Sequence, residues 1–171
     1  MNIVLIGFMG SGKSTVGRVL AEITGKPLLE TDRIVEDREG ASIAEIIASR
    51  GEGYFRDAEC EVVAEAAASD GTVIAAGGGA VLDDTNVSRL RENGVLYFLE
   101  IDATDVMSRV DGGSDRPLLP EDAEGIRNLM SERASRYLEA SDAVIPASGR
   151  APREIAEEVL ADFHGRTGEG A

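Results

Sequence analysis

An α/β fold, with a parallel sheet covered by helices on both faces, is what the sequence predicts, and three features predict it. Short runs rich in Ile, Val and Leu alternate with longer amphipathic runs along the chain, the pattern of strand–helix–strand units. The first apolar run ends in a glycine-dense turn that opens directly into a helical pattern. A length of 171 residues suits one domain with a substantial core.

The first strand, Asn2 to Ile6, leads into Gly7-Phe8-Met9-Gly10-Ser11-Gly12-Lys13-Ser14-Thr15, which fits G-x-x-x-x-G-K-[ST]. Each residue type has a physical reason. Glycines let consecutive N–H groups curl towards one anion, and the helix starting near Lys13 adds the positive end of its dipole. Lys13 brings a point charge to phosphates, and the Ser14 hydroxyl can ligate Mg²⁺. The strand before the turn and the run Val16, Val19, Leu20, Ile23 after it supply the context that separates a phosphate-binding loop from an ordinary βα turn.

Gly25-Lys26-Pro27 breaks the helix, and Leu28-Leu29-Glu30 reads as a second strand, with Thr31-Asp32 at its C-terminal end. Thr31 and Asp32 are either ligand-facing or caps for a helix over Arg33 to Glu39. Helical patterns follow through Ile43, Ile46 and Ile47, and again beyond Arg56 with Val62, Val63 and Ala66 at core spacing. Helices in that number exceed what a crossover needs, so about residues 32–60 read as an inserted helical substrate-binding subdomain.

Thr72 to Ala76 is a buried third strand ending in Gly77-Gly78-Gly79. Consecutive glycines there carry an entropic cost that a close approach of a ligand or backbone would justify; a loose surface loop is the alternative. Asp84 to Asn93 reads as a helix capped by Gly94, and Val95 to Leu99 as the fourth strand. Asp102 is expected to cap the helix Ala103 to Val110. The aperiodic stretch Asp111 to Pro120, within a segment of about 109–122, reads as a mobile lid between helices. A helix over about Glu121 to Ser141, a short fifth strand at Val144-Ile145, a closing helix from Arg153 to Phe163 and a disordered tail over 166–171 complete the chain. The expected architecture is a P-loop NTPase-type three-layer sandwich around a five-stranded parallel sheet.

A formal net charge of −15 disfavours nucleic acid and anionic membrane surfaces as partners, and no apolar run reaches the length of a membrane span. One cysteine, Cys60, excludes an internal disulfide and points to a reducing cytoplasm. Of seventeen basic residues only Lys13 and Lys26 are lysines. Arginines in turns, among them Arg56, Arg109, Arg116 and Arg150, suit planar carboxylate and phosphate groups. His164 lies near the end of the last helix and Cys60 within a helix, positions that suggest no chemistry for either.

Bound ATP is compatible with several activities. A guanine-specific N-K-x-D element is absent, and the chain is too short for a motor, which leaves a small kinase. At this point the residues resemble the shikimate kinase family. Thr31-Asp32 after the second strand, Phe55-Arg56 followed by Glu59, Gly77-Gly78-Gly79-Ala80-Val81, Arg116-Pro117-Leu118-Leu119, and Arg133 with Tyr137 stand in that family's order and at about its spacing.

The resemblance implies roles position by position. Asp32 would bind the acceptor hydroxyl of shikimate and serve as base, with Lys13 and Arg116 as the other catalytic residues. Arg56 and Arg133 would grip the shikimate carboxylate, and Gly77, Gly78 and Gly79 would offer backbone to it, Gly78 as a donor. Gly10, Ser11, Gly12, Lys13, Ser14 and Thr15 would hold the ATP phosphates, Arg116 would reach them from the lid, and Arg109 and Arg150 would flank adenine. Ser14 would hold one Mg²⁺. Glu30, one methylene longer than the family's usual aspartate, is a candidate ligand through water. Shikimate and ATP are the implied partners, the cytoplasm the location, and a monomer the implied state. Read without the family, Asp32 could be a helix cap and Arg56 and Arg133 surface ion pairs. A gluconate kinase and a non-catalytic nucleotide-binding protein are the rival functions.

Overall fold

The centre of the sheet is the strand the sequence places first. In the computed structural model, which describes residues 1–110, 118, 120 and 122–168, β1 (Asn2–Ile6) is buried along its whole length. It has parallel neighbours on both sides, β3 (Val73–Ala75) and β4 (Gly94–Glu100). The edges are β2 (Leu28–Glu30) and β5 (Ala143–Pro146), giving the order β2-β3-β1-β4-β5. A strand covered on both faces has no polar side to alternate with, hence Ile-Val-Leu-Ile without interruption.

Alternate residues of the sheet feed two cores. Ile3, Leu5, Val73, Tyr97 and Leu99 pack with Val16 and Leu20 of α1 (Lys13–Thr24) and with Ile155, Val159 and Phe163 of α8 (Pro152–Thr167). Val4, Ile6, Ile74, Leu96 and Phe98 face the other way. They meet Val63 of α4 (Glu52–Ala67), Leu90 of α5 (Asp84–Glu92), Val106 of α6 (Ala103–Val110) and Ile126 and Tyr137 of α7 (Ala123–Ala140). The five parallel strands and the helices on both faces are as expected.

A third apolar cluster lies off the sheet. Val35 of α2 (Thr31–Glu39), Ile46 of α3 (Ile43–Arg50) and Phe55 and Val62 of α4 enclose it, and Leu118 packs against them. A capping box at Ser42, whose hydroxyl accepts from the Glu45 N–H while the Glu45 carboxylate accepts from the Ser42 N–H, starts α3.

Several local expectations change. The residue before α2 is Glu30, with no side-chain cap, and α2 already includes Thr31 and Asp32. Neither therefore caps a helix over Arg33 to Glu39. Gly94 is the first residue of β4 rather than a helix cap; a Cβ there would press on the Leu90 carbonyl oxygen at 2.7 Å. Asp102 does cap α6, accepting from the Asp105 N–H at 2.9 Å. The closing helix continues to Thr167 and ends on Gly168 in the left-handed region, so Arg166 and Thr167 are helical where a disordered tail was expected. Arg166 is tied there by Asp162 and by the Asp142 carbonyl. Most of the expected lid, Arg116 included, lies outside the described residues.

Candidate active site

β1 sits where the chain's crossovers reverse direction, and its C-terminal end is the open edge at which parallel α/β sheets bind ligands. The glycine-rich loop turns there. Gly7, Gly10 and Gly12 all have positive φ, at 146°, 79° and 94°, conformations that a Cβ resists. No side chain caps α1, so its first turn, with Ser14 and Thr15, offers an anion the positive end of the helix. The Lys13 ammonium donates to the carbonyls of Gly7 (2.7 Å) and Phe8 (3.0 Å), which holds it across the loop it would serve.

A cleft of about 660 Å³ opens in front of this loop. Gly10 to Thr15 line one part of it, with Glu30 beside them at the end of β2. Arg150, Ala147, Pro152 and Ile155 line it as well, as do Asp32, Arg56, Glu59, Gly78, Gly79 and Arg133. The sequence-predicted residues among these come from the loop after β1, α1, the end of β2, α2, α4, the turn after β3, α7 and the turn before α8.

The triple glycine explains itself in three dimensions. A Cβ on Gly77 would strike the carboxylates of Asp32 and Glu59, one on Gly79 would strike the Arg56 guanidinium, and one on Gly78 would press on Met9. The bodies that demand glycine are side chains of α2 and α4 and one loop methionine. Gly77 itself does not line the cleft; its N–H donates to the buried Thr31 hydroxyl at 2.8 Å, fastening the start of α2 to this turn. The Gly78 carbonyl accepts from the Tyr137 hydroxyl at 2.5 Å. The Tyr137 ring stacks on Phe98 with centroids 5.1 Å apart, and burial pushes its phenol up to about 12.

Glu59 is the group sequence reasoning used only as a motif residue. It is 1 % exposed, and its Oε2 accepts from Arg56 Nη1 at 2.6 Å. Burial pushes its carboxyl above the ordinary range; the Arg56 and Arg133 charges pull against that and Asp32 adds to it. The i, i+3 spacing from Arg56 on one helix was the signal available. Glu52 holds Arg56 from the other side at 3.3 Å. Arg56 is thus braced by carboxylates on its own helix, with Asp32 and Arg133 close by.

Arg109 falls in the last turn of α6, where its side chain is outside the description, and Arg116 lies outside it altogether. The oxygen donors beside the loop, the Ser14 hydroxyl and the Glu30 carboxylate, are the hard ligands Mg²⁺ takes together with substrate phosphates. Among the described residues no group of three or more His, Cys, Asp or Glu could hold a metal by itself.

A phosphate-binding loop at the centre of a parallel sheet, facing a small pocket of carboxylates and arginines in the same cleft, defines an ATP-dependent small-molecule kinase of the P-loop class. The family model described as shikimate kinase matches residues 9–164. A shikimate kinase of Symbiobacterium thermophilum is 41 % identical over 174 residues, covering 99 % of this chain and all of that one. Among solved structures, shikimate kinase from Acinetobacter baumannii in complex with shikimate superposes with a TM-score of 0.91 at 33 % identity, over 97 % of this chain and 94 % of that one. The enzyme from Aquifex aeolicus gives 0.85 at 34 % identity over the whole of both chains. The chain belongs to the shikimate kinase family.

Proposed function

We propose that the chain transfers the γ-phosphoryl group of ATP to the 3-hydroxyl of shikimate, releasing ADP and shikimate 3-phosphate on the way to chorismate and the aromatic amino acids. The observation that supports this reading is that Asp32, Arg56 and Arg133 line the same cleft as Lys13 and Ser14. The planar forks of Arg56 and Arg133 suit a carboxylate, which each can take with two parallel hydrogen bonds. Held so, the acceptor presents its hydroxyl to Asp32, which takes the proton as the oxygen bonds to the γ-phosphorus and the bond to the ADP oxygen breaks. Such transfer asks mainly for in-line placement and neutralised charge.

Lys13 places its charge on the β- and γ-phosphates, with the backbone of Gly10, Ser11, Gly12, Ser14 and Thr15 cradling them. Arg116, on the resemblance alone, adds a second cation there. Ser14 would hold Mg²⁺ and Glu30 would reach it through water; the ion, when bound, neutralises phosphate charge and orients the β- and γ-oxygens. Gly78 and Gly79 border the acceptor, with Gly77 supporting them from beneath. Arg150 and Arg109 flank adenine. The region of about 32–60 acts as the acceptor-binding subdomain and about 109–122 as the lid, and the enzyme works as a cytoplasmic monomer.

The deciding experiment is coupled ADP release with shikimate beside gluconate. Turnover with shikimate and none above background with gluconate is expected; gluconate as the sole acceptor would end the assignment.

A further inference from the structure

At the end of the cleft away from Asp32, the turn between β5 and α8 is fastened on both sides. The Ser148 hydroxyl accepts from the Asp102 N–H at 2.9 Å, and the Gly149 N–H donates to Asp105 at 3.1 Å. Arg150 ends this turn with both terminal nitrogens engaged. Nη1 donates to the Pro146 carbonyl at 2.8 Å, and Nη2 meets Glu158 Oε2 at 2.7 Å, two turns along α8. Arg150 lines the cleft with Ala147, Pro152 and Ile155, an otherwise apolar setting. Side-chain exposures of 31 % and 44 % mean that the Arg150–Glu158 pair adds little to folding stability. Its effect is orientational. A guanidinium held by a hydrogen bond at one terminal nitrogen and an ion pair at the other has less freedom to swing away from an aromatic ring that packs against it. The carboxylate also offsets a charge that would otherwise be drawn to nearby phosphates.

We infer that Glu158 is a positioning residue for the nucleotide base, restraining the Arg150 guanidinium through their ion pair at the adenine end of the cleft. This rests on the proposed reading of Arg150 as an adenine-flanking residue. Pre-orienting one side chain that binding would otherwise have to order shifts affinity, not chemistry.

The test compares E158Q, R150A and the double variant with E157Q, which loses the neighbouring ion pair to Arg153, 3.0 Å long on the same helix. E158Q should raise the KM for ATP about three- to fivefold, the upper scale of one partly exposed charged contact. It should leave kcat and the shikimate KM within about twofold. Competitive inhibition by inorganic tripolyphosphate, which has no base, should be unchanged, and the double variant should be no worse for ATP than R150A. E157Q should match the unaltered enzyme. If R150A raises the KM for ATP while E158Q behaves like E157Q, the inference about Glu158 fails and the adenine reading survives. If R150A leaves that KM unchanged, both fail. Weaker tripolyphosphate inhibition in E158Q would place the pair's action on the phosphates and overturn the inference.

Discussion

Gly79 is where one missing methyl decides how a distant side chain sits. A Cβ there would meet the end of the Arg56 side chain, which can swing aside only by loosening its bond to the buried Glu59, so Gly79→Ala should cost stability. The displaced guanidinium is also one the proposed reaction needs at the acceptor carboxylate. Gly79→Ala should therefore raise the shikimate KM at least tenfold, the scale of one lost charge-assisted bond. The ATP KM should hold, and Tm should fall by about 2–4 °C for each kcal/mol lost with the Arg56–Glu59 bond. Steady-state kinetics with each substrate varied, beside a thermal melt, reads both. An equal loss for both substrates would mean that Arg56 serves something other than the acceptor. Lys13 gives a second residue-scale expectation. Lys13→Ala removes a charge aimed at the transferring group and should lower kcat by a factor of about 10² or more, measured as ADP release at saturating shikimate.

At the scale of elements, α7 reaches the active-site turn through Tyr137. Its hydroxyl is the donor to the Gly78 carbonyl, and its ring lies on Phe98 of β4. Tyr137→Phe keeps the stack but orphans that carbonyl, at a cost of about 1–3 kcal/mol near neutral pH. The pH dependence carries a sign. In the unfolded chain tyrosine ionises near 10, whereas in the fold Tyr137 keeps its proton to about 12. The folded state then binds more protons across that window, so stability must fall as pH rises from about 10 to 12. Denaturant titrations of the two proteins should converge over that range by roughly 2 kcal/mol. Parallel curves would show that Tyr137 does not hold its proton there. Such a contact also marks what the sequence could and could not reveal. β1, β3 and β4 were legible because burial on both faces leaves an unbroken apolar run, and the phosphate loop because its glycines follow from local backbone geometry. Thr31 was ambiguous, since a hydroxyl after a strand looks like a cap until the Gly77 N–H arrives from 46 residues away to donate to it. Gly94 likewise reads as a cap until the Leu90 carbonyl is seen to crowd its position in β4. Glu59 was missed as part of the cleft, and Glu158 as the partner of Arg150, because an acid on a helix looks solvated until its arginine partner is placed.

The whole molecule carries a net charge of −15 on a single small fold. Acids outnumber bases 32 to 17, and arginines are often bound to carboxylates, as in the pairs Arg50–Glu39 and Arg153–Glu157. Such a balance keeps the chain soluble but sets the compact state against its own repulsion, which the expanded chain relieves. Screening should weaken that repulsion. Its range is ~30 Å at 0.01 M salt and ~8 Å at 0.15 M, so most of the benefit arrives early in a salt titration. Thermal melts in KCl should therefore rise steeply up to about 0.3 M and then level off, gaining roughly 2–4 °C for each kcal/mol of repulsion removed. A rise that begins only near 1 M and is larger for sulfate than for chloride would report salting-out of apolar surface instead. No rise at all would mean that the local ion pairs already cancel the excess. The same screening should leave the KM for shikimate nearly level over the first 0.3 M, because the acceptor's proposed partners are half-buried or deeper, where salt acts least.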